Sequence, residues 1–213
     1  VGPADAPKGD WKTLKGKKVA ISMPGNMPDL VFSYLLKKNG LDRKDIEVVN
    51  AADGQQAMQK IASGEADYAV LPEHVATLAQ AKLKEKGKET ARVFNLQEEW
   101  AKVTGKKARF PMAGLVMPGN LVDSRPGLPA AVRAEVKASV DKANAGDAAT
   151  LQAIADHYKL PVDVVKQVIP RLQLDVVPAK EAKADYEDFL KRLGEVNPKI
   201  YGGKLPDDKF YAE

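Results

Sequence analysis

Residues 19–36, VAISMPGNMPDLVFSYLL, leave this chain few ways to fold. Val19, Ala20 and Ile21 form a short apolar run after a basic leader, as a strand covered on both faces would. Met23, Pro24, Gly25 and Asn26 continue neither strand nor helix, so the chain turns there. Pro28 suits a first helical turn, where a missing N–H costs nothing, and Asp29 places a carboxylate near the positive end of the helix dipole. A buried strand, a tight turn and an amphipathic helix make half of a βαβ unit. In open α/β sheets the turn at the carboxyl end of such a strand is where small ligands bind.

The remaining sequence repeats the pattern. A helix is predicted over 28–39, with Val31/Leu35 and Phe32/Leu36 four apart and Gly40 as the stop. Strands follow at 46–49, 68–71 and 91–94, separated by helices at 53–63 and 73–86. Strand–helix–strand at this spacing requires right-handed crossovers and a parallel sheet. This α/β lobe spans residues 14–107, and residues 1–10, rich in Pro, Gly and Ala, read as a linker or extended arm. After Lys107 one strand-like run remains, FPMAGLVM at 110–117. The rest is predicted helical. Leu128, Val132, Val136 and Val140 form a stripe on a helix ending at Gly146, and Asp147 caps a helix with Leu151, Ile154 and Tyr158 on its apolar face. Pro161 opens a helix to about 168, and a last helix over 179–193 turns Tyr186, Phe189 and Leu193 inward. One strand is too little sheet for so many amphipathic helices. They form a helical subdomain alone or belong to a sheet whose other strands lie outside this sequence.

Composition narrows the chemistry. The 33 basic and 29 acidic residues leave a net charge of +4. Its densest piece, residues 8–18, holds five lysines and one aspartate around Trp11. Nucleic-acid surfaces are more strongly and locally basic, so a solvated basic segment is the better reading. With no cysteine, disulfides, thiolate metal sites and cysteine nucleophiles are excluded. No apolar run approaches the ~18 residues of a membrane span, and the first residues do not read as a signal peptide.

Several stretches resemble one family. They are DWKTLKGKKVAI at 10–21, GLDRKDIEVV at 40–49, IASGEADYAV at 61–70 and GGKLPDDKFY at 202–211. Their order is similar to that in the second lobe of ABC-importer solute receptors, in the branch with sulfonate, taurine, nitrate and thiamine-precursor receptors. Pro72, Glu73 and His74 stand where that branch often has a Glu-Pro pair. The resemblance implies a two-lobed, periplasmic-binding-protein-like fold of type II that closes on a ligand between its lobes. On that reading residues 1–13 are a linker into the hinge, 14–107 the second lobe, and 108–213 a mainly helical return to the first. Such receptors begin with a stretch forming most of the first lobe, and the chain is expected to lack it.

The turn holding Pro24, Gly25, Asn26, Met27 and Asp29 is the leading ligand-binding candidate, set against a plain strand–helix connection. Free N–H groups at the helix start suit an oxyanion. Asp29 opposes one unless it points away as a capping group; otherwise the ligand is neutral or cationic. Glu73 and His74 end the third strand on the same sheet edge, His74 as a donor to ligand or a surface residue at a helix start. Asp29, Glu73 and His74 together would make a hard-metal or proton-relay site, but their spacing is not a metal motif. Phe110 and Met112 would line a cleft or pack in a core. His157 reads as a surface residue. No phosphate loop, nucleophile elbow or HExxH motif occurs.

By resemblance, the expected function is an extracytoplasmic receptor, periplasmic or lipoprotein-anchored. It would deliver a small polar anion to an ABC importer permease by hinge closure, without cofactor, metal or catalysis. The alternatives are an enzyme on the same fold, of the thiamine-pyrimidine or menaquinone-pathway type, and a sensor or interaction domain.

Overall fold

The computed structural model describes residues 1–211. It comprises two units, one of Val1–Arg109 with Arg192–Pro198 and the other of residues 110–191 with those from 199 onward. In chain order the first holds β1 (Gly2–Pro3), β2 (Lys18–Ser22), α1 (Met27–Lys38), β3 (Glu47–Ala51), α2 (Gly54–Ser63), β4 (Tyr68–Val70), α3 (Glu73–Glu85), β5 (Thr90–Ala91) and α4 (Leu96–Thr104).

β2 is the middle of a three-stranded parallel sheet ordered β3-β2-β4, with Ala20 level with Val49 on one side and Ala69 on the other. The crossover through α1 leads one way from β2 and that through α2 leads back past it, so right-handed connections put these helices on opposite faces. Strand alternation serves each face differently. Ala20 joins Ala51, Ala57, Ile61, Ala66, Ala69, Ala79 and Leu83, a core of small side chains that brings α2 and α3 close. Around α1 and α4 the core is bulkier. Trp11 lies 5.7 Å from Phe32 and 4.7 Å from Phe94, and Tyr34 lies 5.2 Å from Trp100, ring centre to ring centre.

Two expectations for this unit are corrected. The run at 91–94 adds no strand to the parallel sheet; β5 instead pairs antiparallel with β1. Of residues 1–10, read as a linker or extended arm, the first three pack against the unit and the rest are largely exposed. Gly2 is buried, Trp11 is buried, and Val1 N donates to Ala69 O at 2.9 Å. The sequence reading also passed over α4, whose Asn95 side chain accepts from Gln97 N and whose end is closed by left-handed Gly105.

The second unit holds α5 (Gly119–Ser124), α6 (Leu128–Asn144), α7 (Ala148–Tyr158), α8 (Val162–Leu172) and most of α9 (Ala179–Gly194). Ala143, Leu151, Ala155, Val165 and Ile169 form its core. Asp147 caps α7 as expected, accepting from Thr150 N. The stripe Leu128, Val132, Val136 and Val140 is only half-buried, and Tyr158 is exposed, because α6 and α7 bury their contacts nearer to Ala143 and Leu151. The run at 110–117 is not a strand. It has no regular structure, and Met112, Leu115 and Val116 are 60, 63 and 75% exposed. Apolar content alone does not make a strand without a neighbour to complete its ladder. Among the described residues no helix is long and apolar enough to cross a membrane.

Candidate functional site

The order β3-β2-β4 creates a switch point. Chain connections leave β2 towards β3 and return to β4 on the other side, so the loops after β2 and β4 part at the carboxyl edge of the sheet. Open α/β sheets hold ligands at such a crevice. Ser22, fully buried at the end of β2, spans it by donating its hydroxyl to Val70 O at 3.2 Å. Sequence reasoning treated Ser22 only as a strand end.

The first loop is fixed by backbone bonds. Met23 N donates to Ala51 O at 3.1 Å, and Asn26 N donates to Met23 O at 3.0 Å. Met23 has φ of 52° and Gly25 of 80°, so both sit in the left-handed region, ordinary for glycine and uncommon for methionine. Asn26 occupies the N-cap position of α1 without a side-chain capping bond. The first helical bond runs from Leu30 N to Asn26 O. The amides of Met27 and Asp29 therefore precede the helical ladder, and Pro28 has none.

Asp29 does not face the opening of this loop. Its Oδ2 accepts from Gly25 N at 2.8 Å and its Oδ1 from Ser33 Oγ at 3.2 Å. Arg43, on the short helical turn Arg43–Asp45, donates through Nη1 to Asp29 Oδ1 and to Ser33 Oγ, the latter at 2.7 Å. Of the readings left open for Asp29, the inward-turned carboxylate is the one observed. Arg43 was not foreseen.

The second loop has the same design. α3 begins at Pro72 with no side-chain cap, and its first bond is Ala76 N to Pro72 O at 2.9 Å, so the amides of Glu73, His74 and Val75 lie ahead of the ladder. Glu73 turns back along α3. It accepts from Thr77 Oγ1 at 3.1 Å, from Arg92 Nη2 at 2.7 Å and from Arg92 Nε at 3.3 Å, while Arg92 also bonds Gln80 Oε1. His74 is exposed. α2 differs, since its start is closed by Asp53 on Gln56 N at 2.8 Å and by Gln56 on Ala52 N at 2.7 Å. Gly54 lies so close that a Cβ there would sit 3.1 Å from Val75 and 3.3 Å from Pro72, which seats α2 against the second loop.

The structure thus brings Pro24, Gly25, Asn26 and Met27 to the same sheet edge as His74, with Asp29 and Glu73 each turned into an arginine. This breaks up the metal or proton-relay grouping of Asp29, Glu73 and His74. Among the described residues no group of three or more His, Asp or Glu is placed to hold a metal ion. Phe110 and Met112 belong to the other unit. Phe110 stacks on Phe189 with ring centres 5.7 Å apart, and Met112 is exposed.

Comparison with known proteins gives this geometry a context. YtlA of Bacillus subtilis (strain 168), named as a binding protein, is 36% identical over 74 residues, covering 34% of this chain and 22% of YtlA. An ABC transporter structure from Parabacteroides distasonis matches 93% of this chain and 67% of its own, with a TM-score of 0.70 and 24% identity. The periplasmic aliphatic sulphonate binding protein SsuA from Escherichia coli matches 100% of this chain and 63% of its own, with a TM-score of 0.64 and 15% identity. At these identities the two structures establish the fold, an α/β architecture of the periplasmic-binding-protein kind, and this chain spans only part of each relative. Residues 1–154 match the family described as ABC transporter, phosphonate, periplasmic substrate-binding protein, and the chain belongs to that family.

Proposed function

We propose that this chain is the ligand-gripping part of an extracytoplasmic receptor that hands a small oxyanion, of the phosphonate or sulfonate class, to the permease of an ABC importer. The observation that carries the reading is the state of the two helix starts beside the switch point. α1 and α3 both begin without a side-chain cap, and the one carboxylate near each start is answered by Arg43 or Arg92. The helix dipoles at these starts then favour negative charge.

Pro24, Gly25, Asn26 and Met27 supply the first wall, with the Asn26 side chain as a neutral donor. His74 and the start of α3 supply the second. Asp29 and Glu73 act behind the surface. An enzyme at this edge would need Glu73 as an acid or base beside His74, and Glu73 is held by Arg92 and Thr77, which favours binding over catalysis.

Thermal unfolding with added ligand tests this. Methylphosphonate, inorganic phosphate or an alkanesulfonate at about 100 times its Kd should stabilise the fold by about 2.7 kcal/mol. A rise in Tm with a neutral or cationic solute and with none of these anions would overturn the reading.

A further inference from the structure

A carboxylate in the first turn of α1 is a rival for any anion brought to that helix start, because both answer the same dipole. Asp29 is that carboxylate, and it is 5% exposed. One of its oxygens is taken by Gly25 N at 2.8 Å. The other faces Ser33 Oγ at 3.2 Å and the Arg43 guanidinium, which also reaches Ser33 Oγ at 2.7 Å. A buried charge of this kind is tolerated only when paired. Arg43 is in turn set by its own turn, where Asp42 accepts from Arg43 N at 2.7 Å and Asp45 accepts from Asp42 N at 2.7 Å.

Two consequences meet at residue 29. The carboxylate pulls Gly25 N inward and so shapes the loop that would touch ligand. Its charge would repel an anion if Arg43 were absent. We propose that Arg43 is a positioning residue that sets the sign of the charge this site accepts: by neutralising Asp29 from behind, it leaves the start of α1 electropositive without touching ligand. The inference rests on the anion reading above and assigns a role to a residue fourteen positions away from the carboxylate it controls.

Isothermal titration of the full chain with methylphosphonate, alongside a Tm for each variant, separates charge from stability. Arg43→Met should weaken binding by about tenfold or more, since it leaves a buried charge uncompensated near the ligand. Arg43→Lys should restore most of the affinity. Asp29→Asn should bind at least as tightly as wild type, the rival charge being gone and the Arg43 charge left. The double variant Asp29→Asn/Arg43→Met, with both charges gone, should bind within about threefold of wild type, even where its Tm stays low. If Arg43→Met does not fold, the double variant compared with wild type still reads the balance of the two charges. Equal affinities of the double variant and wild type support the proposal. A double variant about tenfold weaker than wild type shows that Arg43 acts otherwise than by neutralising Asp29 and overturns it, as does an Arg43→Met variant that binds like wild type. A wild type that binds neither methylphosphonate, phosphate nor an alkanesulfonate removes the anion reading itself and this inference with it.

Discussion

The indole N–H of Trp11 donates to Glu99 Oε2 at 2.8 Å, joining residues 88 positions apart inside the first unit. Both are buried, and the other carboxylate oxygen receives Lys102 Nζ at 2.6 Å. The bond ties the segment before β2 to α4, and so fixes how the chain enters the strand that carries the candidate loop. Trp11→Phe removes the donor and leaves a void, and should cost about 2–4 kcal/mol in urea unfolding. Glu99→Gln keeps an acceptor for the indole and should cost only about 1 kcal/mol. Equal costs for the two would show that the indole N–H contributes nothing.

Arg92 stands to Glu73 as Arg43 does to Asp29, but at a more open position, the side chains being 32 and 21% exposed. Arg92→Met leaves Glu73 with Thr77 as a remaining partner at 3.1 Å. Solvent reaches the carboxylate, so the expected loss of stability is modest, about 1–2 kcal/mol by urea unfolding. Glu73→Gln in the same background should recover part of it. A double variant no more stable than Arg92→Met would mean that the pair's charge is irrelevant to the second loop.

Gly2 packs against the ring of Tyr68. A Cβ at residue 2 would fall 2.3 Å from Tyr68 Cδ1 and 2.5 Å from Cε1, and Tyr68 is buried under its neighbours. Gly2→Ala therefore forces the ring or the β1 backbone to move, and should destabilise by about 1–3 kcal/mol in chemical unfolding. Tyr68→Leu is expected to make the alanine less costly, so the double variant should lose less than the sum of the singles. Strict additivity would remove the steric account.

What could be read in the sequence depended on how local its cause was. β2, the turn and α1 were legible because Pro24, Gly25 and Pro28 act on their own backbone. The parallel arrangement followed from spacing and connection rules. Arg43 was not legible. Its effect on Asp29 needs the turn after α1 to bring a guanidinium back along the helix, and nothing in the intervening residues encodes that distance. Arg92 was hidden in the same way, within a run of residues taken for a fourth parallel strand. The opposite error was made at 110–117, where an apolar run met the pattern of a strand but not its requirement of a hydrogen-bonded neighbour. α4 carried readable signals at Asn95 and Gly105, but its two main apolar anchors, Leu96 and Trp100, give too short a stripe to outweigh the charged residues between them.

Tyr211 offers a pH test of the second unit. Burial, then the nearby Glu187 carboxylate, pushes its phenol from 10.0 up to about 12. Its hydroxyl donates to Glu187 Oε1 at 3.3 Å, and its ring lies under Lys183, with Nζ 5.4 Å from the ring centre. Lys183 is itself held protonated more firmly by Asp208. With the folded value above the unfolded one, the phenol's contribution is complete below pH 10.0 and is lost as the pH climbs to about 12. The unfolded chain releases this proton first, so alkali favours unfolding. Unfolding free energy measured across this range should fall for the wild type and fall less steeply for Tyr211→Phe. Tyrosinate absorbance should show a late-titrating phenol that is missing in the variant. Parallel slopes in the two proteins would place Tyr211 in water rather than beneath α9.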